Sequence, residues 1–251
     1  MLKKRIIPIE LLVDGRLVKT QQFGPHRDVG DPVASSRVYS AQNADELVFL
    51  NIHRTDRGIE PLLPLLERVS EACFMPLALG GGIRSLKDAE ILIRHGADKV
   101  VVNTEAHRDP VLVGEIASRF GSQAVVLSID VRGSGPWAVW TNCGRDRATA
   151  SLDEAIERGV KYGAGEILVT SIDRDGTMTG FDLPLLNYVC ARCSIPVIAA
   201  GGAGHYDHLR AAFLETRVAA VAVGSLFNFG DSNPMRAKAY LTNHGIPFKL
   251  V

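Results

Sequence analysis

The sequence predicts an α/β protein, a single (β/α)8 TIM barrel over residues 1–251 assembled from two half-barrels. Two observations carry that prediction. First, the chain says nearly the same thing twice, about 120 residues apart. ELVFLNIHR at 46–54 is answered by EILVTSIDR at 166–174, PLALGGGIRS at 76–85 by PVIAAGGAGH at 196–205, and VVVNTEA at 100–106 by AVAVGSLF at 220–227. Second, each half has the same order: apolar run, helical pattern, a run ending in glycines, helical pattern, and a run ending in a small polar pair.

Short runs rich in Val, Ile and Leu place the parallel strands near 5–13, 46–52, 76–80, 98–103, 124–130, 166–171, 196–200 and 219–223. Their C-terminal ends carry Asn51, Gly80 to Gly82, Asn103 with Thr104, Asp130, Ser171 through Asp173, Gly201 with Gly202, and Gly224 with Ser225. Active sites of this fold lie on that face, where the loops after the strands converge. Glycine lets backbone N–H groups approach an anion, and a helix start adds partial positive charge. Two symmetry-related cradles on one rim therefore suit a ligand with a phosphate at each end. GGAG at 201–204 lacks the GxGxxG spacing of a dinucleotide site. The stretch 14–32 is the longest loop on this rim and is expected to close over substrate, with Lys19 as its anion-binding side chain.

Composition excludes several classes. Basic and acidic residues balance at 28 each, so neither nucleic acid nor an anionic membrane is expected as a partner. At 46% hydrophobic, the chain can fill one large core, and no Pro/Gly/Ser-rich stretch offers a linker. The N-terminal MLKKRIIPIELLVDG imitates a signal peptide, but Pro8 and Glu10 break its apolar run, and it reads as the first strand. No apolar stretch is long enough to span a bilayer, and a soluble cytoplasmic protein is expected. Cys190 and Cys193 have CxxC spacing without a second pair, and His205 and His208 lack a third ligand. No metal and no cofactor are expected.

The stretches KRII, DGRLVK, DVGDPV, DELVFL, GGGI, GADKV, FGSQAVV, GAGEIL, TSIDRDGT and GGAG resemble the HisF family along nearly the whole chain. HisF is the cyclase subunit of imidazole glycerol phosphate synthase. The resemblance implies a glutaminase (HisH-like) partner whose ammonia crosses the barrel to meet a bisphosphate substrate at the far rim. It implies acid/base work by aspartates ending strands 1 and 5, the latter being Asp130, with Lys19 beside them. Ligand and phosphate contacts fall on Gly81, Gly82, Asn103 and Thr104 in one half, and on Ser171, Asp175, Gly176, Gly201, Gly202, Gly224 and Ser225 in the other. A charged ammonia gate is implied at Arg5, Glu46, Lys99 and Glu166, with Asp98 at the partner interface.

Two positions depart from the family pattern. Leu11 stands where the strand 1 aspartate belongs, and Asn51 stands where the family usually carries aspartate. Leucine can neither give nor take a proton. Glu10 is no substitute, because neighbours on a strand face opposite sides and Glu10 should point toward the helices. The IPxxLL and CFMPLA segments resemble HisF paralogues of surface-polysaccharide (lipopolysaccharide, O-antigen) pathways. Those act with a glutaminase paralogue and a sugar amidotransferase to turn an acetamido group on a nucleotide-linked sugar into an acetamidino group. Three readings follow: an ammonia-delivering paralogue of this kind, a histidine-pathway cyclase with a displaced acid/base group, or a catalytically silent scaffold that activates the glutaminase.

Overall fold

The computed structural model describes residues 3–53 and 58–248. Its strands are β1 (Arg5–Val13), β2 (Arg16–Lys19), β3 (Arg27–Gly30), β4 (Leu47–Asn51), β5 (Leu77–Gly80), β6 (Lys99–Val102), β7 (Val125–Arg132), β8 (Ala138–Thr141), β9 (Asp146–Arg147), β10 (Glu166–Ser171), β11 (Val197–Ala200) and β12 (Ala220–Val223). The helices are α1 (Pro32–Ala41), α2 (Leu63–Ser70), α3 (Leu86–Arg94), α4 (Thr104–Arg108), α5 (Val111–Phe120), α6 (Leu152–Lys161), α7 (Leu183–Arg192), α8 (Tyr206–Glu215), α9 (Ser225–Asn228) and α10 (Pro234–Asn243).

Eight of the strands pair in parallel in the order β1, β4, β5, β6, β7, β10, β11, β12, and β12 pairs back to β1 to close the barrel. Closure leaves no edge among these eight. Period-2 alternation divides each strand between two cores. Ile7, Ile9, Val48, Ala78, Val101 and Leu168 belong to the inner core that fills the barrel. Ile6, Leu12, Leu47, Phe49, Val100 and Ile167 belong to the larger layer between sheet and helices.

The helices start where the sequence offers a cap. Asp31 accepts from Val33 N and Ala34 N, with Pro32 in the first turn, to start α1. Ser151 and Glu154 form a reciprocal capping box at α6. His205 caps α8, and His208 Nδ1 accepts from Gly204 N at 3.2 Å, so both histidines have local structural work.

The stretch 14–32 is more ordered than a loop. Asp14 and Gly15, both at positive φ, turn β1 into β2, which pairs antiparallel with β1 and with β3. Asp-Gly is a strong hairpin signal, because such turns match the twist of the strands. A second hairpin, β8 with β9, extends β7 beyond the barrel. No described helix is long and apolar enough to cross a membrane.

Candidate functional site

Strand alternation sets what each barrel mouth carries. On β1 the inward side chains run Arg5, Ile7, Ile9, Leu11 from one mouth to the other, since Ile7 and Ile9 lie in the inner core and Leu11 lines the cavity beyond. At the N-terminal mouth, Arg5 bonds Glu46 at 2.9 Å and also bonds Glu166. Lys99 bonds Glu46 at 2.8 Å and Glu166 at 2.7 Å. The four side chains therefore close a ring of alternating charge. Burial alone would raise the Glu166 carboxyl, but hydrogen bonding and charge from Arg5, with the charge of Lys99, hold it below the ordinary range. Arg5 is stabilised as a cation by the same partners against the opposing effect of its own burial. Asp98, next in the chain, accepts from Leu77 N at 2.8 Å and so ties β5 to the start of β6.

The C-terminal mouth opens into a cavity of about 1150 Å³. Asp130 sits in it, 8% exposed, held by Asn103 Nδ2 at 2.8 Å and near Ser128 Oγ at 3.4 Å. Burial is the main force pushing its carboxyl up to about 7, reinforced by the charge of Asp175 and opposed by hydrogen bonds from Asn103, Ser128 and Thr170. A carboxyl that titrates near neutrality can both take and give a proton. Lys19, on β2, reaches over the rim to lie 3.7 Å from Asp175, which Thr20 Oγ1 also approaches at 3.3 Å.

The glycine turns repeat in space as they do in sequence. Gly81 and Gly82 have positive φ, and so do their mates Gly201 and Gly202. A Cβ on Gly81 would overlap the Asn51 carbonyl, and one on Gly201 would overlap the carbonyl of Ser171, which is the repeat mate of Asn51. Gly82 and Gly202 press in the same way on Gly58 and Gly180. Only glycine fits so close a backbone approach at positive φ. The short helices α4 and α9 follow at Asn103/Thr104 and Gly224/Ser225, all four of which line the cavity. Thr104 Oγ1 accepts from Asn142 N at 3.0 Å, which docks the β8–β9 hairpin onto the rim. Gly176 packs on Thr20 and Gln21, and Gln22 N bonds Asp175 O at 2.8 Å, so the first hairpin lies against the loop after β10.

Ser171 stands apart from the other predicted residues. It is 4% exposed and does not line the cavity, whereas Thr170 does. Alternation decides this: Leu168 points inward, hence Thr170 does too, and Ser171 faces the helices.

Leu11 lines the cavity and Glu10 does not; Glu10 bonds the Tyr39 hydroxyl at 3.1 Å on the helix side of the wall. Sequence reading missed a pair on the rim. His53 Nδ1 lies 2.6 Å from Asp14 Oδ1, and both residues line the cavity. The only available hint was that His53 is the repeat mate of Asp173, itself on the rim. Among the described residues no group of three or more His, Cys, Asp or Glu side chains is placed to hold a metal ion.

The model of the histidine biosynthesis protein family matches residues 5–233. The imidazole glycerol phosphate synthase subunit HisF of Hyphomonas neptunium is 46% identical over 252 residues, covering 100% of both chains. That of Caulobacter vibrioides is 46% identical over 254 residues, covering 100% of this chain and 97% of its own. The chain belongs to the HisF family. The four residues Arg5, Glu46, Lys99 and Glu166 carry the full ring of charge at the N-terminal mouth, and the C-terminal end of β1 carries Leu11.

Proposed function

We propose that this HisF-family chain is the ammonia-receiving barrel subunit of a glutaminase-coupled complex in the cytoplasm. The observation that carries the reading is the axial order of the barrel. A charged ring closes one mouth, an apolar interior with Ala78, Ala200, Ala220 and Ala222 follows, and the rim cavity with Asp130 and two glycine cradles lies beyond. Such an interior admits neutral ammonia and disfavours ammonium, whose charge would have to shed its water. A HisH-like glutaminase docked over the ring, near Asp98, would supply ammonia. A phosphorylated or nucleotide-sugar ligand would bind between Gly81, Gly82, Asn103 and Thr104 on one side and Gly176, Gly201, Gly202, Gly224 and Ser225 on the other.

Leu11 argues against ring closure. Asp130 has no carboxylate facing it from β1, so the two-carboxylate ring closure is not available at this rim. We propose, on the resemblance of the IPxxLL and CFMPLA segments to the surface-polysaccharide paralogues, delivery of nitrogen to a nucleotide-linked acetamido sugar, with a sugar amidotransferase as second partner. A second reading, synthesis of imidazole glycerol phosphate, is supported by the names of the relatives and by His53. Oriented by Asp14, its imidazole could serve as the displaced acid/base group. Amide-¹⁵N glutamine separates the two. The complex is supplied with the phosphoribosyl bisphosphate substrate, and separately with an acetamido nucleotide-sugar and the amidotransferase. Label in an acetamidino group supports the first reading; label in an imidazole ring overturns it in favour of the second.

A further inference from the structure

The N-terminal mouth carries more than its ring of charge. Strand β5 lies between β4, which Glu46 immediately precedes, and β6, which begins with Lys99. Leu47 N donates to Pro76 O at 2.9 Å, so residues 74–76 stand on the outer lip of the mouth, in the sector between those two ring members. The repeat builds a second lip in the same way. Ile167 N donates to Pro196 O at 3.0 Å, and β11 lies between β10, which begins with Glu166, and β12. Strands β5 and β11 are four places apart in the ring of eight, so the two lips face each other across the mouth. Pro76 and Pro196 are exposed, and Met75 and Ile195 are half-buried, which makes both lips apolar.

Phe74 breaks this symmetry. It is 93% exposed, and while its neighbours Cys73 and Met75 pack on the core, it does not. Its repeat mate, Ser194, is polar and also exposed. The fold therefore accepts a small polar residue at this corner, and a phenyl ring left in water adds nothing to folding. A single exposed apolar side chain is ordinary on a protein surface. Phe74 differs in its place, because it extends an apolar lip beside a charged mouth.

Resting on the proposed coupling to a glutaminase, we infer that Phe74 is the anchor of that contact, its ring seated in an apolar pocket of the HisH-like partner. The two lips then exclude water around the mouth through which ammonia enters. An aromatic ring brings a large apolar area with few torsions to order, and such anchors carry most of an interface's energy when their surroundings are dry. The charged ring is poorly suited to that role, since its four members already pair with one another.

The test measures binding of the full chain to the HisH-like glutaminase of the same organism, by calorimetry at about 0.1 M and about 1 M NaCl. Phe74→Ser, which copies Ser194, should keep the thermal midpoint of the native chain and weaken binding at least about thirtyfold. The loss should be as large at high salt, because screening weakens charge pairs and not apolar contact. Phe229→Ser, which removes an exposed ring beside Arg27 on the side of the other mouth, should bind like the native chain. Native affinity in Phe74→Ser, a loss that vanishes at high salt, or an equal loss in Phe229→Ser would overturn the inference and leave the coupled complex standing. A native chain that binds no glutaminase at about 100 μM would remove the coupled reading itself, and the anchor with it. Self-association of the free chain that Phe74→Ser abolishes, measured by sedimentation, would make a second copy the occupant and overturn the inference as well.

Discussion

At the scale of residues, the rim turns on what faces Asp130. Its carboxyl is raised from an ordinary 3.8 to about 7 chiefly by burial. An acid whose folded value lies above its unfolded one binds its proton more tightly when folded. Its contribution to stability is therefore greatest at low pH and falls as pH rises from about 4 through 7. Asp130→Asn should accordingly be more stable than the native chain at pH 8, by on the order of a few kcal/mol, with the difference shrinking toward pH 4. Urea unfolding at several pH values measures this. Leu11→Asp should return a second carboxylate to the cavity and bring ring closure of the phosphoribosyl bisphosphate up by at least about tenfold, a change of about 1.4 kcal/mol in barrier. The opposite orientations of Leu11 and Glu10 were legible, because period 2 on a strand leaves no other choice. The same rule, applied to Ser171, would have replaced it with Thr170. The His53–Asp14 pair was not legible, since it joins a hairpin turn to the end of a different strand and no periodicity links the two.

At the scale of elements, the eight barrel strands lie within a residue or two of where apolar runs and glycine stops place them, because strand length and turn chemistry are local. Strands β2 and β3 lie in the stretch expected as a loop, although Asp14–Gly15 signals the β1–β2 turn, and nothing in the sequence reading corresponds to β8–β9. Both are short strands whose pairing depends on β1 and β7 being present already. The glycine turns carry the firmest prediction at this scale. Gly81→Ala and Gly201→Ala place a Cβ at positive φ against the carbonyls of Asn51 and Ser171. Each should destabilise the fold by at least about 1–2 kcal/mol from backbone strain alone, with overlap adding to it. Thermal or urea unfolding should show both losses, one in each half of the repeat. Gly15→Ala meets no neighbouring atom and should cost only the strain of its positive φ.

At the scale of the molecule, the inward face of one strand links a closed mouth to an open one, from Arg5 through Ile7 and Ile9 to Leu11. The charged ring proposed as the gate is more enclosed than exposed surface pairs, with side-chain exposures of 24% for Arg5, 17% for Lys99, 11% for Glu166 and 3% for Glu46. Such enclosure means less screening by solvent than for surface pairs, and removing one member leaves its partner's charge part-buried and less well paired. Because the Glu166 carboxyl is held low, its share of the ring's stability is present above the unfolded value and is lost only as pH falls through the folded one. Lys99→Ala leaves Arg5 bridging both glutamates, so the barrel should stay folded while the mouth loosens. Glutamine hydrolysis should then outrun nitrogen transfer, with ammonia appearing in solvent, when both yields are measured in the reconstituted complex. Unchanged coupling in Lys99→Ala and Arg5→Ala, with the glutaminase still bound, would make the ring a structural plug. The central claim, that the barrel receives ammonia but lacks the pair of groups that closes an imidazole ring, is tested most directly by turnover. The native chain, with its glutaminase and glutamine, is assayed for imidazole glycerol phosphate from the phosphoribosyl bisphosphate. Turnover far below about 1 per second is predicted; about 1 per second or faster would contradict the claim.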